Sequence, residues 1–363
     1  FSVSKVFLNL CVHHSHIQLD TSEKKGVIDI NQYIIRKIDN ARKMTEQMWL
    51  ERVVLNPTVH RPLPLPRCLF GGRRPTVNTK DVLISTLLIL LFWICWRINV
   101  LVALAYLALM MKFEPALLLF PYNVCLSVWC WKSPAVWTDE IRTLLPALDT
   151  LLAADTFSAI RSELASIRHA APLIDEVLPA QRDIGSPAWR LMPLKTLTQT
   201  HEATMRHTPR LAAFVSSHPE IVTAFFSSLA PGGTIPTHSG YCKGILRVHI
   251  GICTPEPDLV HLTLHTGAPD GAGDASVKLK WHQGKAIAFD DTYLHSVEHR
   301  GTKPRDVLWM DIVRPEVRSN PFLLWMTRHV LTWIAQSSWM QEVDRRVERV
   351  VFVVPPPSSS SSI

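Results

Sequence analysis

The chain has 363 residues, 47% of them hydrophobic, enough for one sizeable core with smaller attached pieces. A net charge of +7 would suit a polyanion, but no run of clustered Lys and Arg interleaved with aromatics is present, so nucleic acid is excluded as an expected partner. Seven cysteines (Cys11, Cys68, Cys95, Cys125, Cys130, Cys242, Cys253) form no CxxC pair and no regular framework, and decide neither compartment nor cofactor.

Residues 1–80 mix charges with short apolar runs and then turn Pro-rich in "NPTVHRPLPLPRCLFGGRRPTVN", a composition expected of a poorly ordered linker. The start, residues 1–30, lacks the parts of a signal peptide, and targeting stays open. His13, His14 and His16 cluster there, but proximity alone does not make a metal site, and a solvated polar turn is expected. Residues 82–111, "VLISTLLILLFWICWRINVLVALAYLALMM", carry one formal charge, Arg97, and are long enough to cross a bilayer. The interruption at Trp96-Arg97-Ile98-Asn99 also permits a re-entrant hairpin. Basic residues crowd the N-terminal flank, so a single span, the favoured topology, puts the following part outside the cytosol, while a hairpin returns it.

Residues 112–137 are apolar but broken by Pro115, Pro121 and Pro134, which suggests an interfacial segment. Helix-period apolar positions over 138–169 predict one or two amphipathic helices. After about residue 220 the texture changes to short β-type runs ("VTAFFSSLA", "ILRVHIGIC", "LVHLTLHT", "VKLKW", "KAIAFD", "DVLWMDIV"), which predict a sandwich or barrel. Residues 317–349 return to helix, and 350–363 end in the low-complexity "PPPSSSSSI".

Two histidines stand out by context. His238 of "PTHSG" and His295 of "FDDTYLH" each sit at the edge of a β-type run, where two imidazoles could meet; such a pair suits Fe(II), zinc or copper equally. Arg247 lies nine residues after His238, and strand alternation puts it on the same face as His249; Arg305 lies ten residues after His295. An arginine fork grips carboxylates, so the repeated spacing points to a metal beside a carboxylate-bearing cosubstrate. No GxSxG, Walker A or GxGxxG motif stands in a suitable context.

The runs "TAFFSSLAPGGTIPTHSGYCKGILRVHIGI" and "WHQGKAIAFDDTYLHSVEHRGTKPRDVLWMDIVRPE" closely resemble the aspartyl/asparaginyl β-hydroxylase family of Fe(II)- and 2-oxoglutarate-dependent dioxygenases. The resemblance covers roughly residues 140–316, within a dioxygenase domain expected over 138–316. It implies a mainly β fold, a double-stranded β-helix (cupin-like jelly roll) with flanking α-helices and an N-terminal membrane segment. It implies His238 and His295 as iron ligands, and Arg305, with Ser227, Arg247, His249 and Trp189, as the 2-oxoglutarate pocket; O2 is the other cosubstrate. Asp290 and Asp291 are read as a strand-end turn. Gly240 stands where most related dioxygenases carry the third, carboxylate ligand, and this HxG arrangement resembles the peptidyl aspartyl/asparaginyl branch.

That branch implies hydroxylation at the β-carbon of Asp or Asn in a protein substrate. A second reading comes from "FPYNVCLSVW", which resembles membrane-anchored lipid A fatty-acyl hydroxylases and implies a lipid substrate. A third is a non-catalytic, membrane-anchored binding module, which retention of the full set of site residues opposes.

Overall fold

The computed structural model describes residues 62–64, 76–113, 115–137, 141–177, 188–197, 199–266, 275–336 and 338–351. The cluster of His13, His14 and His16 and nearly all of the 350–363 tail lie outside them, as does most of the 1–80 stretch. Within that stretch, β1 (Pro62–Pro64) pairs antiparallel with β2 (Thr76–Asn78).

Two apolar helices follow, α1 (Thr79–Ile98) and α2 (Val100–Phe113). Asn99 separates them. Its extended backbone ends α1, and its Oδ1 accepts from the Leu101 amide at 2.7 Å, capping α2. Only α1 is long and apolar enough to cross a membrane among the described residues. Leu87, Ile89, Trp93, Trp96 and Leu101 on this pair are exposed. After a 3-10 turn (Pro115–Leu118), α3 (Leu119–Trp129) returns to the start of α1, where Lys80 lies over the Phe120 ring at 5.8 Å. The chain therefore leaves the domain along α1 and comes back along α2.

The short strand β3 (Val136–Trp137) leads to four helices, α4 (Ile141–Leu144), α5 (Leu148–Leu152), α6 (Ala154–Ile167) and α7 (Ile174–Val177). Next come β4 (Trp189–Thr196), β5 (Gln199–Thr200), α8 (Glu202–His207) and α9 (Pro209–Ser217). The body is built from β6 (Ile221–Leu229), β7 (Thr234–His238), β8 (Ile245–Cys253), β9 (Val260–His265), β10 (Ser276–Lys280), β11 (Ala286–Phe289), β12 (Leu294–His299) and β13 (Arg305–Val313). The helices α10 (Pro315–Arg318), α11 (Pro321–Ala335) and α12 (Ser338–Val351) close the described chain.

The strands form two antiparallel sheets, β3-β11-β8-β13-β6-β4-β5 and β10-β9-β12-β7, the jelly-roll arrangement. Their burial explains their sequences. In the large sheet β6 is buried at every position and β8 and β13 nearly so, because both faces are covered, and these strands are mainly apolar with a few buried polar members such as Ser227, Arg247, His249, Arg305 and Asp311. Even-numbered residues such as Ala224, Phe226, Val248, Ile250, Leu308 and Met310 pack against helix residues including Leu148, Ile160, Leu164 and Val215. Odd-numbered residues face the small sheet, where Phe225, Phe289 and Val307 meet Leu262, Leu264 and Val297. In the small sheet β9 and β12 alternate buried and half-buried, as a sheet with one open face should. Burial of each large apolar side chain contributes about 1.5–3 kcal/mol, so the doubly covered sheet is the firm platform.

Candidate active site

The odd-numbered face of the large sheet lines a cavity of about 110 Å³, and the facing strands of the small sheet complete it. All seven residues singled out from the sequence, Trp189, Ser227, His238, Arg247, His249, His295 and Arg305, border this one cavity. Pairing of β12 with β7 places His295 directly opposite His238. Their ring centroids are 4.2 Å apart. Nδ1 of His238 donates to the Pro236 carbonyl at 2.8 Å, and Nδ1 of His295 to the Tyr293 carbonyl at 2.9 Å. Those bonds fix both tautomers and leave each Nε2 with its lone pair, the form in which histidine binds a metal. Desolvation in the pocket lowers His238 to about 4 and His295 well below its ordinary value, so both rings are neutral at pH 7.

Among the described residues no group of three or more His, Cys, Asp or Glu is arranged to hold a metal. The reason for the missing third ligand is visible at Gly240. A Cβ there would lie 2.0 Å from Oδ2 of Asp291. The Asp291 carboxylate thus occupies the space that a side chain at 240 would need, and the Gly240 amide donates to the Asp291 carbonyl at 2.6 Å. Sequence reading placed Asp290 and Asp291 in a strand-end turn; they do follow β11, but both are buried and charged partners surround them. Asp290 is bound by Lys243 Nζ at 2.6 Å and by Arg314, and against the cost of burial these charges hold its carboxyl below the usual range. Asp291 pairs with Arg247 at 2.8 Å, yet burial pushes it up to about 7.

Register orders the large-sheet wall. Arg305 opens β13 opposite Leu229, which in turn faces Trp189; Val307 lies beside Ser227, Trp309 beside Phe225 and His249, and Asp311 beside Thr223 and Arg247. At the Arg305 end every unmatched polar atom is a donor. The Arg305 guanidinium is buried, stacks on Trp281 at 4.6 Å, and its Nε has no hydrogen-bond partner; burial lowers its pKa to about 10. Trp281 Nε1 donates to His249 Nδ1 at 3.2 Å, which puts the His249 proton on Nε2, also buried and unpartnered. Trp189 Nε1 donates to Ser227 Oγ at 3.0 Å, leaving the Ser227 proton to give. A buried cation with two neutral donors and no acceptor is the complement of a carboxylate.

Arg247 stands at the other end and is engaged differently. It binds Asp311 through Nε at 2.9 Å and Asp291 through a terminal nitrogen, and its guanidinium covers Trp309 at 4.1 Å. Trp281, Trp309 and Asp311 were not singled out from sequence, and Asp291 was read there only as part of a turn. Trp309 and Asp311 share the parity of Arg305 on β13, so alternation alone could have found them; Trp281 follows a strand and carries no such signal.

A family model described as aspartyl/asparaginyl beta-hydroxylase matches residues 154–315. An ornithine lipid ester-linked acyl 2-hydroxylase of Rhizobium tropici is 31% identical over 177 residues, 47% of this chain and 58% of that protein. Aspartate beta-hydroxylase domain-containing protein 2 of Mus musculus is 31% identical over 97 residues, 26% of this chain and 25% of that protein. The chain thus spans little more than half of the first relative and a quarter of the second. Among solved structures, AviO1 from Streptomyces viridochromogenes aligns with a TM-score of 0.30 at 14% identity, covering 45% of this chain and 86% of that one. An oxidoreductase of the 2OG-Fe(II) oxygenase family from Burkholderia pseudomallei aligns with a TM-score of 0.28 at 12% identity, covering 34% and 66%. The stretch that carries the paired histidines, residues 154–315, is similar to the aspartyl/asparaginyl beta-hydroxylase family over a little under half of the chain.

Proposed function

We propose that this chain is a membrane-bound Fe(II)- and 2-oxoglutarate-dependent hydroxylase whose substrate is the acyl chain of a membrane lipid. The observation that carries the oxygenase reading is the pairing of two free Nε2 lone pairs with an all-donor carboxylate site in one cavity. His238 and His295 would hold Fe(II), and Arg305, His249 and Ser227 would hold a carboxylate of 2-oxoglutarate, with Trp189 and Trp281 fixing the donors. Arg247 is close enough to the histidines to lower their pKa, while its own charge is met by Asp291 and Asp311. When bound, iron and 2-oxoglutarate supply the oxidation: one oxygen atom of O2 enters a C–H bond as hydroxyl, the other enters succinate, and CO2 leaves. The chain's own residues bind, orient and keep water out. No side-chain nucleophile or general base is needed.

Three observations support an acyl chain over the peptidyl Asp or Asn that the HxG spacing suggested. Arg247 and Arg305 are the cations of the cavity wall; Arg247 already faces two carboxylates, so an Asp substrate would add a third negative charge beside Asp291 and Asp311. The Rhizobium relative is named for acyl hydroxylation. The apolar helix pair leads back to the site itself: Asn123 of α3 donates to the Tyr241 carbonyl at 2.8 Å and accepts from the Lys243 amide at 2.9 Å, gripping the loop that borders the cavity. In that loop a Cβ at Gly244 would lie 1.9 Å from the Tyr122 hydroxyl, which binds Thr327 of α11 at 2.7 Å.

The helix pair supports a hairpin over a single span. α1 extends about 30 Å and matches a bilayer core of about 30 Å, and α2, at about 21 Å, runs back along it for about two thirds of that depth. Arg97 and Asn99 then sit at the far headgroups, and the domain stays on the side of the basic flank, the cytosolic side by the positive-inside rule.

The test is succinate formation from 2-oxoglutarate by the full chain in micelles with Fe(II), against His238→Ala and Arg305→Ala. Turnover lost in both variants is expected. Wild-type protein that folds, yet neither binds nor consumes 2-oxoglutarate, would leave the binding module as the better reading.

A further inference from the structure

The donor set around Arg305 claims one buried end of the cavity, and the partly exposed residues His238 to Tyr241 form its mouth. A second buried end lies beyond Thr223, walled by Leu197 and Met340. Apart from Asp311, whose carboxylate is taken by Arg247 and Trp309, its polar atoms are neutral. The Thr223 hydroxyl is buried without a hydrogen-bond partner, and so is that of Ser239 beside the mouth. Buried hydroxyls without partners are costly, and two at one cavity mark the place of a ligand's polar group. That group is uncharged, because the nearest cation, Arg247, is already outnumbered by Asp291 and Asp311.

The apolar wall is maintained against local preference. Leu197 has φ +48° in the two-residue connection from β4 to β5. Gly or Asn is favoured in such left-handed backbone, and other residues there are strained. The Leu side chain is nevertheless 1% exposed and turned into the cavity wall. Met340 comes from α12, outside the stretch that matches the family, and is carried in by a buried stripe with Asp344 and Val347.

We propose that this end is an acyl site, in which the hydroxyls of Thr223 and Ser239 hydrogen-bond the acyl carbonyl and the hydrocarbon runs between Leu197 and Met340. Met340 closes the lobe and sets the chain length it accepts. The proposal rests on the hydroxylase reading above and adds to it the residues that choose the substrate.

The test uses the full chain in mixed micelles with Fe(II), 2-oxoglutarate and O2. The probes are ester-linked acyl lipids of short, medium and long saturated chains, and an Asp-containing peptide; hydroxylated product and succinate are both measured. Thr223→Val is expected to raise the KM for every acyl lipid about tenfold, the loss of one buried hydrogen bond. Met340→Ala is expected to move the optimum toward longer chains. A purely structural defect would lower all rates together without moving that optimum. An unmoved optimum in Met340→Ala, an unmoved KM in Thr223→Val, or hydroxylation of the peptide in place of the lipids overturns the acyl site. Succinate formed with no acyl product overturns the acyl site while leaving the hydroxylase reading standing. No succinate under any condition overturns both.

Discussion

Replacing Gly240 by Ala tests whether Asp291 truly fills the space of the absent third ligand. The new Cβ would stand 2.0 Å from Oδ2, 2.2 Å from Cγ and 2.5 Å from Oδ1 of Asp291. The backbone cannot simply separate, since the Gly240 amide is bonded to the Asp291 carbonyl. The carboxylate must therefore swing away from Arg247. Overpacking costs about 1–3 kcal/mol, and disturbing one of the two ion pairs on a buried arginine adds about 1–2 kcal/mol, less than the full 3–5 because Asp311 stays. A loss of about 2–5 kcal/mol is expected for Gly240→Ala. Asp291→Ala alone costs little, because burial already disfavours this carboxylate and Arg247 keeps Asp311. In the double variant the methyl occupies emptied space, so the two changes compensate by about 2–3 kcal/mol. Unfolding of metal-free protein in micelles, followed by tryptophan fluorescence across the four-member cycle, measures this coupling. Additive effects, or a Gly240→Ala protein of wild-type stability, would refute the steric account of the HxG motif.

Arg305→Met should separate stability from function: removing an unpaired buried cation stabilises the ligand-free protein by about 1–4 kcal/mol, while 2-oxoglutarate affinity falls at least about a hundredfold with the charge-assisted bonds, as read by thermal unfolding and titration. On α12, burial raises Asp344 from 3.8 to about 6 beside His201, which burial lowers to about 4. A raised acid contributes stability that is full below pH 3.8 and lost as pH rises through about 6; the lowered His201 runs the other way and is common to both proteins compared. Asp344→Asn should accordingly be more stable than wild type by about 1–3 kcal/mol at pH 8, after discounting for screening, with no gain below pH 4. For the hairpin, a thiol probe that cannot cross the bilayer should label Cys125 and a cysteine at position 99 from opposite sides of sealed vesicles; labelling of both from one side contradicts the two-legged crossing.

Much of the jelly roll was legible because the large sheet is covered on both faces, so β6, β8 and β13 read as mainly apolar, β-type runs in which the few polar residues stand out. β4 was not among the β-type runs; it carries Pro193, which the strand accommodates next to a register shift between Pro193 and Lys195. The histidines and arginines were legible through spacing within strands. Asp291 was not, because its role depends on the emptiness of Gly240, a residue distant in sequence that contributes no atoms. Met340 and Leu197 were silent for related reasons: one arrives from a helix outside the resemblance, and the other depends on a backbone angle that composition does not encode.

The charges of the cavity close only with particular occupants. With Asp291 ionised, Arg247, Asp291 and Asp311 together carry one net negative charge at the mouth, and Arg305 carries one positive charge at the buried end. The proposed divalent metal and dicarboxylate cosubstrate would add equal and opposite charge and leave the loaded site neutral. In a low-dielectric pocket an additional unit charge costs several kcal/mol. A neutral acyl group leaves that balance intact, whereas an aspartate side chain must bring a cation or a proton with it. The same balance fits a Gly240 without a carboxylate: Asp291, just beyond the strand that pairs with that of Arg247, already supplies the negative charge, to an arginine.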